Sequence, residues 1–194
     1  LAYTIGENGR TTVEADERIA PEFERVDPFR IYPEPAITDI SDGYIFEHHP
    51  LSRTELSDMI GVPGYDEDAI RKVLEIGNGQ SWINEDVELA KDEEERKFHS
   101  FDRPTEVFDA LEFWGKVSGK MLIEWGLTEE EVPDEAREYD ANVWIVGNYV
   151  IKAVLNYDPL GEKPYAKTSF IKCPGAFWGK GIPEIIEDIQ NVCN

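Results

Sequence analysis

Gly175-Ala176-Phe177-Trp178-Gly179-Lys180-Gly181 sets glycines and a lysine directly ahead of a helix-prone stretch, the raw material of a phosphate-binding loop. Such a loop needs four residues between its glycines, then Lys and a hydroxyl residue that ligates magnesium. Here only three residues separate Gly175 from Gly179, and Gly181 stands where the hydroxyl should be. Two bulky aromatics inside the loop also hinder the wrapping of backbone amides around phosphate. A second candidate is Glu47-His48-His49, which offers carboxylate and imidazole donors to a metal. Neighbouring residues of a strand point to opposite faces. Only His99 remains as a further histidine, and neither an H-E-x-x-H helix nor Cys/His zinc spacing occurs. The two histidines therefore read as strand or interface residues. Acidic pairs abound, yet with 41 Asp and Glu no spacing singles out a glycosidase or nuclease pair. No Ser/His/Asp or Cys/His signature is present. We predict no catalytic, cofactor-binding or metal residues. Trp114, Trp125, Trp144 and Trp178 lie in strand or turn contexts suited to core or subunit contacts rather than to a sugar-stacking platform.

The glycine segment has a structural use instead. Gly179 and Gly181 permit positive φ or close backbone approach, Pro183 suits the first turn of a helix, and Glu184 and Glu187 suit its positive end. Phe177 and Trp178 can anchor the turn in a neighbouring surface. Phe177, Trp178, Gly179, Lys180, Gly181, Pro183 and Glu184 are thus predicted to join a β-rich body to a helix over 183–194, and Gly181→Val is expected to damage assembly. That helix carries an apolar stripe of Ile185, Ile186, Ile189 and Val192. It ends without a strong cap, Asn194 being a weak one. Together with Leu rather than Met at position 1, this leads us to expect a piece of a longer protein whose last helix continues.

The elements that must position these residues follow from turn and cap chemistry. The first third is extended and turn-rich: Gly6 to Gly9 is a turn signal, and Pro21, Pro28, Pro33 and Pro35 exclude helix. Tyr44-Ile45-Phe46 reads as a strand entering His48, His49 and Pro50. Ser52 and Glu55 form a capping box for a short helix through Met59 and Ile60, ended by Gly61. Asp66 caps a second helix with Ile70, Val73 and Leu74 on one face and Gly77 to Gly79 as its stop. A third helix is predicted over 82–98, its run Asp92-Glu93-Glu94-Glu95 solvated. A strand over Val107 to Trp114 precedes a short helix around Gly119 to Trp125, ended by Gly126. Runs at 142–146 and 149–155 flank Gly147-Asn148, a strong hairpin signal. After an Asp158-Pro159 turn, Tyr165 to Ile171 offers a further strand. Regular βαβ alternation is absent, so the fold class is α+β, with mixed antiparallel strands and several short helices. We treat 1–194 as one unit, with subdivisions at 1–80, an acidic excursion at 81–103, and a β-rich part at 104–194.

Composition narrows the function classes. Hydrophobic residues at 41% and aromatics at 11% supply a core. Nineteen Lys and Arg against 41 acids give a net charge of −22, which repels phosphate backbones and disfavours ordinary nucleic-acid binding. The same acidity serves solubility, or a surface past which DNA slides without sticking. Cys173 and Cys193 are too few for a disulfide framework. No apolar run reaches the ~18 residues of a membrane span, and we expect a soluble protein.

Several separated segments carry a resemblance. Val26-Asp27-Pro28-Phe29-Arg30-Ile31-Tyr32-Pro33-Glu34-Pro35, with Asp42-Gly43-Tyr44-Ile45-Phe46-Glu47-His48-His49 behind it, is followed in order by Leu51-Ser52-Arg53-Thr54-Glu55-Leu56 and Leu111-Glu112-Phe113-Trp114-Gly115. Last comes I-K-C-P-G-A-F-W-G-K-G-I-P-E-I-I-E-D-I-Q over Ile171 to Gln190. In this order they resemble the portal proteins of tailed bacteriophages, most specifically in the final segment. The resemblance implies a wing-like α+β body ending in the start of a long helix, in a homo-oligomeric ring of about twelve subunits that joins capsid to tail. It implies no enzyme activity and no cofactor. Its implied partners are a terminase motor, the capsid, tail adaptor proteins, and DNA passing through without sequence-specific binding. The resemblance also implies that no membrane is involved, and a location in the virion, or in the host cytoplasm during assembly. Two other classes remain open: a carbohydrate-active or sugar-binding module, and an acidic adaptor that mimics DNA.

Overall fold

In a computed structural model, residues 2–5, 11–14, 23–77 and 107–193 are described. The predicted turn at 6–9, Pro21, the helix over 82–98 and the acidic excursion lie outside these residues. Strands β1 (Ala2–Ile5) and β2 (Thr11–Glu14) pair antiparallel as a two-stranded sheet. The main sheet has five antiparallel strands in chain order: β3 (Ile31–Pro33), β4 (Ile45–Ser52), β5 (Val107–Ser118), β6 (Glu138–Val146) and β7 (Tyr149–Leu155). With its short helices this is the mixed α+β fold that turn and cap signals pointed to. Strands from either side of residues 78–106 stand side by side, since β4 pairs with β5 along its whole length.

Local chemistry explains the helices. Helix α1 (Arg53–Asp58) opens on a complete capping box: Glu55 N–H donates to Ser52 Oγ at 3.3 Å, and Ser52 N–H to Glu55 Oε2 at 2.7 Å. Helix α2 (Glu67–Ile76) starts at Asp66, whose carboxylate accepts from the amides of Asp68 and Ala69, and stops at Gly77 with φ +76°. Helix α3 (Gly119–Glu124) ends at Gly126, and α4 (Ile182–Cys193) carries Pro183 in its first turn. Pro28–Arg30 forms one 3-10 turn capped by Asp27 in the stretch expected to be extended and turn-rich. The β6–β7 loop is Gly147-Asn148, with Val146 opposite Tyr149 and Gly147 at φ +58°. That is the sign of φ a tight two-residue hairpin demands at its first loop position.

Each sheet face has its own core. Leu51, Phe108, Ala110, Val146 and Ile151 pack against Leu56 of α1 and Ile70 and Val73 of α2. Val117, Ala141 and Val143 pack against Leu122 of α3 with Leu127 and Val132. Full burial of each valine, leucine or isoleucine side chain here stabilises by about 1.5–3 kcal/mol. The outer edge at β7 is covered where Asp66 N–H donates to Ile151 O at 2.8 Å and Tyr65 bridges Lys152.

The expected strand over Tyr165 to Ile171 does not form. This segment is coil, and its only ladder contact is a single bridge between Ile171 and Lys180. It is held by side chains instead. Lys163 Nζ donates to Ile40 O at 2.9 Å, Lys167 Nζ donates to Thr38 O at 2.8 Å and Phe177 O at 2.6 Å, and Tyr165 Oη donates to Glu47 Oε2 at 2.6 Å.

Candidate functional site

The glycine turn closes as a small β-bridge. Lys180 N–H donates to Ile171 O at 2.9 Å, and Ile171 N–H donates to Lys180 O at 3.2 Å. Phe177 is the buried anchor, with Lys167 Nζ 3.8 Å from its ring centre and Trp178 packed edge-on at 4.9 Å. The glycines divide the work differently from the sequence expectation. A Cβ on Gly179 would strike the Ile171 carbonyl oxygen and lie 2.5 Å from Ser169 Cβ, so close approach requires this glycine. Gly175 takes the positive φ, +77°. Gly181 carries neither demand within the chain: its nearest new neighbour would be Pro183 Cδ at 3.5 Å. Past the bridge the chain enters α4, where Pro183 and Glu184 are exposed and Ile182, Ile185 and Ile186 remain 52%, 41% and 45% exposed. The side chains of Ile189 and Val192 lie outside the described residues.

A second constellation runs across the sheet. The registers put Glu47 opposite Glu112, Glu112 opposite Trp144, and Trp144 opposite Lys152, one transverse row over four strands. Because strands alternate, Glu47 and His49 share this face while His48 turns to the other and meets Asp109 at 2.9 Å in a buried pair. Two carboxylates directly opposite repel. Donors surround them here: His49 Nε2 lies 2.9 Å from Glu112 Oε2 and 3.7 Å from Glu47 Oε2. Trp114 Nε1 and Asn142 Nδ2 both donate to Glu112 Oε1 at 2.8 Å. Burial pushes the Glu112 carboxyl up, but hydrogen bonds from His49, Trp114 and Asn142 outweigh it and hold the group below the usual glutamate range. Burial lowers Lys152 against the opposing pull of Glu112. Burial first, then the nearby Glu112 and Glu47 charges, raises the Tyr165 phenol, which therefore stays a donor. His49 stacks on Trp144 with ring centres 4.6 Å apart and planes 18° from parallel.

Sequence reasoning missed this row because it weighed His48 against His49. The informative spacing was Glu47 with His49, two apart on a strand. Glu112 could be added only with the β4–β5 register known. The tryptophans make no open platform among the described residues: Trp144 is buried, Trp114 and Trp125 are half-buried, and Trp178 is exposed.

Between the 23–31 segment and the 163–168 coil lies a groove of about 780 Å³, walled by Ile31, Ile45, Tyr165, Phe177 and Trp178. Its two lysines, Lys163 and Lys167, spend their ammonium groups on backbone carbonyls. No helix among the described residues is long and apolar enough to cross a membrane. Comparison with protein-family models and with curated proteins finds no match.

Proposed function

We propose that this chain is a structural part of a tailed-phage portal subunit: a ring-forming conduit for DNA at the capsid–tail junction, and not an enzyme. The observation that carries the reading is the joint. A five-stranded body is tied through Phe177, Lys167 and the Ile171–Lys180 bridge to an amphipathic helix whose Ile182, Ile185 and Ile186 are left exposed. Exposed apolar residues on this helix suit packing against further protein, as a multi-subunit ring requires. The charge agrees: a net −22 opposes adsorption of a polyanion, which suits a channel through which DNA must slide. The groove beside the joint supports the structural reading too, because its two lysines, Lys163 and Lys167, clamp the chain instead of converging on a ligand. ATP hydrolysis belongs, on this account, to a separate terminase motor. Mass photometry of the full-length protein tests the reading. A population near twelve subunit masses supports it, and a persistent monomer contradicts it.

A further inference from the structure

The row across the sheet has a property that ring building does not use. Glu47, His49 and Glu112 present one oxygen, one nitrogen and one oxygen, all within 4.8 Å of one another. A cation bound at ~2.1 Å from nitrogen and oxygen ligands has neighbouring donors about 3.0–3.4 Å apart in octahedral or tetrahedral geometry. The two His49 separations, 2.9 and 3.7 Å, bracket that spacing, so shifts of a few tenths of an ångström would set His49 Nε2 at a shared cation's distance from each carboxylate oxygen.

The surroundings match those of a ligand set. One oxygen of Glu112 is fixed by Trp114 and Asn142, which leaves Oε2 as the oxygen turned toward His49. The His49 ring plane is set by its stack on Trp144, and Tyr165 orients Glu47. Outer groups that hold ligands in place are a feature of metal centres. The donor set has imidazole and carboxylate and no thiolate, which suits zinc or manganese rather than cations that demand sulfur. Two carboxylates facing each other across a strand pair also gain more from a divalent cation than from any neutral donor. We propose that Glu47, His49 and Glu112 bind one divalent first-row cation, which replaces the His49–Glu112 hydrogen bond as the Nε2 proton leaves to solvent or the ring takes its Nδ1–H tautomer, stapling β4 to β5 beneath the coil that carries Tyr165.

The test uses the 194-residue chain, stripped with chelator, and Zn²⁺ alone as titrant. Excess Mg²⁺ in the buffer occupies the general acidic surface. Calorimetry should show one saturable Zn²⁺ per chain, lost in His49→Ala and weakened about 10–100-fold in Trp114→Phe, which removes only an orienting donor. Absence of a saturable step, or equal binding by His49→Ala, overturns the proposal. Should His49→Ala fail to fold, histidine side-chain NMR of the wild type decides. Zn²⁺ is expected to move the His49 ring-nitrogen resonances while leaving His48 and His99 in place. Shifts at the other two histidines alone place the metal elsewhere and refute the site.

Discussion

Gly179→Ala should unfasten the joint between the sheet and α4, while Gly181→Ala should leave it intact. The added methyl at 179 would collide with the Ile171 carbonyl oxygen and lie 2.5 Å from Ser169 Cβ, backbone and a short side chain that cannot swing away. Relief requires the two bridged segments to part, at the expense of their two hydrogen bonds. Each contributes about 1 kcal/mol net. Residual overpacking adds about 1 kcal/mol more. A local loss of ~3 kcal/mol corresponds to roughly a hundredfold in the opening equilibrium. Native-state hydrogen exchange reads this at the Ile171 and Lys180 amides, which should exchange about a hundredfold faster in Gly179→Ala. The sheet amides of β4 to β6 should be unchanged. At Gly181 the methyl meets only Pro183 Cδ at an ordinary 3.5 Å, so exchange should match the wild type. Wild-type protection in Gly179→Ala, or equal loss in both variants, would refute the reasoning.

Leu122→Ala should cost ~3 kcal/mol in chemical denaturation, because Leu122 is fully buried beneath the second sheet face. Tyr165→Phe removes the donor to Glu47 Oε2 and should cost about 1–2 kcal/mol, with faster exchange through 163–168. Ile185→Glu with Ile186→Glu should leave the chain's own stability within ~0.5 kcal/mol, since both side chains are exposed, yet abolish ring formation in the full-length protein. The Glu55 carboxyl is held low by the Ser52 backbone amide and then the Ser52 hydroxyl. A group depressed in the folded state stabilises above its unfolded pKa and loses that effect as pH falls through the folded value. The melting-temperature advantage of wild type over Glu55→Gln should therefore be present at neutral pH and vanish on acidification. An advantage that grows with acid would contradict the capping role.

What local chemistry dictates was legible before any coordinates. Ser52 with Glu55, Asp66, Gly77, Gly126 and Gly147-Asn148 each mark an element end through a hydrogen bond or φ that few residue types supply. The errors have a common cause in partners distant along the chain. Tyr165 to Ile171 has strand propensity, but a strand exists only where a ladder forms, and this segment is held by side-chain hydrogen bonds instead. The predicted end of β5 at Trp114 fell short because Gly115 to Ser118 lacks an apolar run, whereas pairing with β6 continues to Ser118 opposite Glu138. The carboxylate–histidine row needed the β4–β5 register, which joins residues more than sixty positions apart. At the joint, the glycines were visible as a group. Which of them the fold requires depended on where Ile171 and Ser169 came to lie.

Cryo-electron microscopy of the full-length protein measures the central claim most directly. The account predicts closed rings pierced by a continuous axial channel, with α4 of each subunit covered by protein along its isoleucine face. Well-ordered particles that are monomeric, or assemblies in which Ile182, Ile185 and Ile186 face solvent, would contradict it.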